Sequence, residues 1–117
     1  MELRHEHYID SHRLSMIHVI ATITVAEGKR DVFLSHFRAL VPKVLAEKGC
    51  IEYGPTIDVE TEIPGQPAAR SDVVTVVERW KDIAALEAHL MAPHMLEYRA
   101  IVKDLMRGAE LRVLKPA

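Results

Sequence analysis

Two stretches of the chain, MIHVIATITV (residues 16–25) and DVVTVVERW (residues 72–80), are apolar at odd and even positions alike. Strand side chains alternate between faces with period two, so strands of this kind need cover on both faces of their sheet. Between them the hydrophobic period changes. Glu27-Gly28 closes the first strand, and over residues 29–48 Phe33, Phe37, Leu40, Val41 and Val44 fall on one helical face. Gly49 is placed to stop that helix. Pro42 breaks the helical pattern but lies on the outward side, which predicts a kink rather than a break.

Residues 50–60 (CIEYGPTIDVE) set Ile51, Tyr53, Ile57 and Val59 against Glu52, Asp58 and Glu60, the alternation of an edge strand with one wet face. Pro55 suits an edge better than a centre. The segment TEIPGQPAARS reads as a mobile connection leading to the strand over 72–80. Asp82 is placed to cap a short helix through Met91, and Pro93 to open another through Met106. Gly108 ends that helix, and AELRVLK forms the last strand. The order is βαββαβ, an α+β chain. Its natural solution is a ferredoxin-like, antiparallel four-stranded sheet with the helices on one face. Met16, Ile20, Val73 and Val77 then point to the bare face opposite Ile17, Val19, Ile23, Val74 and Val76. A second copy of the chain is the simplest cover, so a homodimer is expected.

With 117 residues the chain is one domain, large enough to hold a core. Residues 16–117 make up that domain, preceded by a polar extension over 1–15 in which His5, His7 and His12 read as solvated. The net charge of −2 is spread over mixed signs and aromatics are 5%, which argues against a nucleic-acid partner. Cys50 is the only cysteine, which leaves neither an intrachain disulfide nor a thiolate metal cluster. No segment is long and apolar enough to span a bilayer, and the expected location is cytoplasmic. No glycine-rich phosphate fingerprint follows any strand, so no cofactor is expected. His89 and His94 stand five apart across Pro93 rather than at i, i+4, so no metal site is expected either.

GCIEY, followed by VVERWKDIAALEAHLMAPHM, resembles the antibiotic biosynthesis monooxygenase family, whose pattern is Glu-x-Trp/Tyr, a helix and then His. The resemblance spans roughly residues 16 to 114. It implies a dimeric α+β barrel, two such sheets face to face with helices outside. Relatives in that family include cofactor-free quinol and polyketide oxygenases, a signal-molecule isomerase and haem-degrading enzymes. The last rely on an Asn with His and Trp, and this sequence contains no Asn.

Glu78 and Trp80 share one face of their strand, which the resemblance turns toward the helices. His89 is expected at the edge of a buried face made by Ile83, Leu86 and Leu90, within reach of a cavity and of water. An imidazole titrates near working pH, so His89 is the first choice of catalytic base, with Glu78 orienting it. Trp80 and Tyr53 are expected to line the pocket for a small aromatic substrate. His94 shares a stripe with Tyr98, Ile101, Val102 and Leu105 and reads first as a hydrogen-bonded core histidine. His94, Tyr98 and His18 complete the substrate-binding candidates. The expected activity is cofactor-independent oxygenation of an electron-rich ring such as a quinol or polyketide. A small-ligand-binding barrel without turnover, or an isomerase of a small signalling molecule, is the alternative.

Overall fold

The computed structural model describes residues 15–117. The extension over 1–15, with its three histidines, lies outside the described residues except for Ser15. Strand β1 (Ile17–Val25) leads into helix α1 (Arg30–Leu45), followed by β2 (Cys50–Thr56) and β3 (Val73–Trp80). Two short helices, α2 (Ile83–Leu90) and α3 (Pro93–Val102), precede a 3-10 turn at Lys103–Leu105 and β4 (Met106–Leu114). The four strands form one antiparallel sheet in the order β2-β3-β1-β4. This is the expected ferredoxin-like βαββαβ fold, with the two doubly apolar strands at its centre.

Alternation decides which face carries the core. Ile17, Val19, Ile23 and Val25 of β1 are buried, as are Val74, Val76, Glu78 and Trp80 of β3. The β1–β3 register pairs Val19 with Glu78 and Ile23 with Val74, which places these side chains on the helix-covered face. Helix α1 adds Phe33, Leu34, Phe37, Leu40 and Val44 to that core, and Pro42 is exposed on its outer side. On the opposite face Ile20 and Val77 pair at the sheet centre and stay half-buried.

Three boundaries differ from expectation. Strand β2 stops at Thr56, and residues 57–72 run without regular structure, braced by the two-pronged Arg70–Asp58 pair, Nε–Oδ2 2.8 Å and Nη2–Oδ1 3.1 Å. The last helix yields to the 3-10 turn at Lys103, and β4 begins at Met106 with Gly108 inside it. The reason lies in β1: Ala26 N–H donates to Leu105 C=O, and Val25 pairs with Met106, so ladder bonds claim the backbone earlier than the apolar pattern suggests. Among the described residues no helix is long and apolar enough to cross a membrane.

The turn joining α1 to β2 positions the site. Gly49 adopts φ +86°, in the left-handed region, and its C=O accepts from Lys81 N–H. A Cβ added there would lie 2.7 Å from Ala85 Cβ in the first turn of α2. Glycine therefore serves two ends: it permits the backbone conformation, and it lets the turn approach α2 closely. Gly49→Ala is expected to cost about 2–3 kcal/mol from the two effects together, read by thermal or denaturant melts. A melt matching the parent would show that the turn relaxes freely.

Candidate active site

Helix α2 begins where Asp82 Oδ1 accepts a hydrogen bond from Ala85 N–H at 2.9 Å, the expected cap. The helix is only eight residues long, and it buries Leu86 and His89. Ile83 is turned outward, and Leu90 is half-buried. His89 is thus not at the edge of the buried face but within it, 2% exposed. The next helix shows the same one-residue rotation. Its buried line runs through Met95, Tyr98 and Val102, leaving Ile101 exposed and the His94 side chain 22% exposed. The two histidines have exchanged the environments expected of them.

Both are tied to Glu47, a residue that sequence reasoning passed over. His89 Nδ1 lies 2.9 Å and His94 Nε2 2.6 Å from the same oxygen, Glu47 Oε2. A carboxylate only accepts, so each ring nitrogen facing it carries its hydrogen. His89 is thereby fixed as the Nδ1–H tautomer, with the Nε2 lone pair left unpartnered among the described residues. Burial pushes the His89 proton affinity below the usual histidine range, and the Glu47 hydrogen bond opposes that shift.

Glu78 does not orient His89. Its Oε1 accepts from Trp80 Nε1–H at 2.9 Å, two residues along the same strand face, so carboxylate and indole satisfy each other. The Trp80 ring packs on His89, centroids 4.6 Å apart, and Tyr53 meets His89 edge-on at 5.3 Å. Burial raises the Glu78 carboxyl to about 7, the Trp80 bond pulling the other way and the Glu47 charge adding to the rise. A proton acceptor with lowered affinity and a proton donor at about 7 thus stand in one region.

Between the sheet and helices α2 and α3 lies a cavity of about 440 Å³. Glu78, His89, Tyr53 and Tyr98 line it, with a mainly apolar body that includes Phe37, Val76 and Met95. Its size suits a drug-sized or bicyclic ligand. The Tyr98 hydroxyl is buried without a hydrogen-bond partner among the described residues. Trp80 supports the floor from behind rather than lining the cavity. His94 reaches the site through Glu47 and faces a separate shallow groove with His36. His18 lies at an even position of β1, on the opposite sheet face from the buried Ile17 and Val19, and does not enter the cavity. Among the described residues no three His, Cys, Asp or Glu side chains are arranged to hold a metal.

Glu47 carries little sequence signal. It stands beside Lys48 just past a helix end, where a charge ordinarily reads as solvated, and its partners are 42 and 47 residues away. Only the closeness of the Gly49 turn to α2 brings it to the histidines.

Residues 16–101 match the family described as antibiotic biosynthesis monooxygenase. The chain is 39% identical over 103 residues to the probable quinol monooxygenase YgiN of Escherichia coli, covering 86% of this chain and 98% of that protein. A solved structure from Pseudomonas aeruginosa superposes with a TM-score of 0.75 at 29% identity, covering 91% of this chain and 98% of that one. One from Methanosarcina mazei reaches 0.77 at 23% identity, over 92% and 99% of the two chains, and speaks for the fold alone. With the family pattern running through the strand of Glu78 and both histidine-bearing helices, the chain belongs to the antibiotic biosynthesis monooxygenase family.

Proposed function

We propose that the chain oxygenates a small electron-rich aromatic, a quinol or a polyhydroxylated ring, without a bound cofactor. The observation that carries this reading is the buried His89, its tautomer set by Glu47 and its free nitrogen at an apolar cavity shared with the near-neutral Glu78 carboxyl. His89 Nε2 takes the phenolic proton, and Glu47 stabilises the imidazolium formed. The apolar walls keep water from the ring anion, which is left electron-rich enough to reduce dioxygen. One oxygen atom is added to the ring and the other leaves as water, with the protonated Glu78 supplying a proton as the O–O bond breaks. The balance is quinol plus O₂ giving hydroxyquinone plus H₂O, with the substrate itself as the source of all four electrons. The quinol named for the Escherichia coli relative supports this substrate class.

The test is oxygen uptake over a panel of quinols, corrected for autoxidation, with ¹⁸O₂ as the label. One labelled atom in the product and loss of uptake in His89→Ala are expected. Uptake no faster than in that variant, across the panel, would leave a ligand-binding barrel without turnover. The pH profile gives a sharper mark. With a base below the usual histidine range and an acid near 7, kcat/KM should form a bell, falling on its alkaline side at about 7. A plateau running to pH 9 would remove Glu78 from the acid's role.

We also propose that the working form is a homodimer. Ile20 and Val77 are central on a sheet face that no helix covers, and Leu114, paired with His18, extends that face onto β4 and is exposed. Sedimentation at micromolar concentration should give twice the chain mass. Monomer mass alone would overturn it.

A further inference from the structure

The cavity has a second pole. Arg99 and Lys103, one helical turn apart at the end of α3 and the start of the 3-10 turn, both line it. Both are exposed, so they stand where the cavity meets solvent. Arg99 Nη2–H donates to the Leu90 carbonyl at 2.7 Å, which fixes the guanidinium at this position with most of its donors unused. Neither cation forms an ion pair among the described residues, although the chain as a whole carries a net charge of −2. Of the two carboxyls on the cavity wall, Glu78 accepts from Trp80 Nε1–H at 2.9 Å and Glu110 of β4 pairs with Arg112 at 3.0 Å. A mainly apolar chamber thus has at its mouth two positive charges that no ion pair among the described residues engages.

Resting on the oxygenase reading of the same cavity, we infer that the natural ligand is an anionic aromatic, a hydroxylated bicyclic or tricyclic ring bearing a carboxylate. The ring enters the apolar body and presents its hydroxyl to His89. The carboxylate stays at the mouth, where Arg99 offers a planar fork of donors and Lys103 a mobile ammonium. This arrangement sets orientation: a neutral ring could enter either end first, whereas an acid-bearing one keeps its charge in water and its hydroxyl inward. It also acts on the base. Arg99 lies close enough for its charge to disfavour protonation of His89, and a carboxylate held by Arg99 offsets that opposition.

Redox-inert probes test the inference apart from turnover. Calorimetric titration with 6-hydroxy-2-naphthoate and with its neutral methyl ester gives an affinity ratio for two ligands of nearly one shape. The acid is expected to bind about tenfold tighter at low salt, with the advantage shrinking as salt is raised. In Arg99→Gln/Lys103→Gln the ratio should fall to about one, and in Lys103→Glu the ester should be preferred. Lys103→Gln alone makes the case if the double variant melts early, since the Lys103 side chain makes no hydrogen bond among the described residues. Equal binding of acid and ester by the parent, a ratio unmoved by the substitutions, or binding of neither probe would each overturn the inference. Oxygen uptake with a ratio of one would leave the oxygenase reading standing, and an intact ratio without uptake on any quinol would do the reverse.

Discussion

His89→Ala is expected to lower turnover by roughly 10² or more and, in the same protein, to cost about 3 kcal/mol of stability. The first figure is the usual contribution of a positioned proton acceptor. The second follows from burial: the ring is enclosed by Trp80 and Tyr53, and its removal opens a cavity and deprives Glu47 of a donor. His94→Ala should be milder, about 1 kcal/mol, because that side chain is partly exposed and shares its acceptor with His89. Its turnover should fall only as far as Glu47 loses its place. Melts and oxygen-uptake rates on both variants, with activity scaled to the folded fraction, separate the two effects. Glu47→Gln provides an independent reading. It removes the charge that stabilises the imidazolium and that adds to the rise of Glu78, so both limbs of the pH profile should shift downward. A His94→Ala protein that melts like the parent but does not turn over would transfer the base's role to His94.

Glu78→Gln should make the protein more stable at pH 8 while making it a poorer enzyme. The folded-state affinity of Glu78 is raised from the ordinary 4.5 to about 7, so between those values the folded protein holds a proton that the unfolded chain has released. Stability then falls as pH rises through that window, by about 3 kcal/mol in all, and is fully retained below it. Glutamine offers Trp80 Nε1–H the same acceptor and has no proton to lose. Denaturant melts should therefore show the variant gaining about 2–3 kcal/mol over the parent at pH 8 and little at pH 5, a difference from which the His89 contribution common to both proteins cancels. Turnover should drop because an amide is a poor acid. A difference between variant and parent that is the same at pH 5 and pH 8 would show that Glu78 does not change protonation across that range.

The fold was legible because it rests on long signals. Nine alternating residues in β1 and sixteen helical ones in α1 leave little freedom of assignment, and the pairing of Glu78 with Trp80 on one face needs only the period of a strand. The site was legible in its members more than in its arrangement. Helices α2 and α3 span eight and ten residues, too few apolar positions to fix rotation about the axis, so a one-residue error exchanged the environments of His89 and His94. Glu47 had no local pattern at all, since its role arises from a contact that Gly49 makes possible between distant segments. His18 shares the even positions of Met16 and Ile20, so the alternation of β1 by itself already set it on the face opposite the cavity.

The depth of each wall of the cavity bears on how such a protein can diversify. Its chemical floor is assembled from residues that also close the core, His89 and Glu78 exposed by only 2% and 4%, with Trp80 packed behind them. Loss of the His89 ring is felt both in folding and in reaction, and exchange of Glu78 is felt in reaction, so drift at the floor is correspondingly restrained. The rim is different. Arg99, Lys103 and the β4 residues Ala109 and Leu111 are exposed, so exchanging them costs little stability while changing what the opening admits. A lineage built on this architecture can therefore hold one proton-transfer apparatus constant and change its choice of substrate by surface mutation alone.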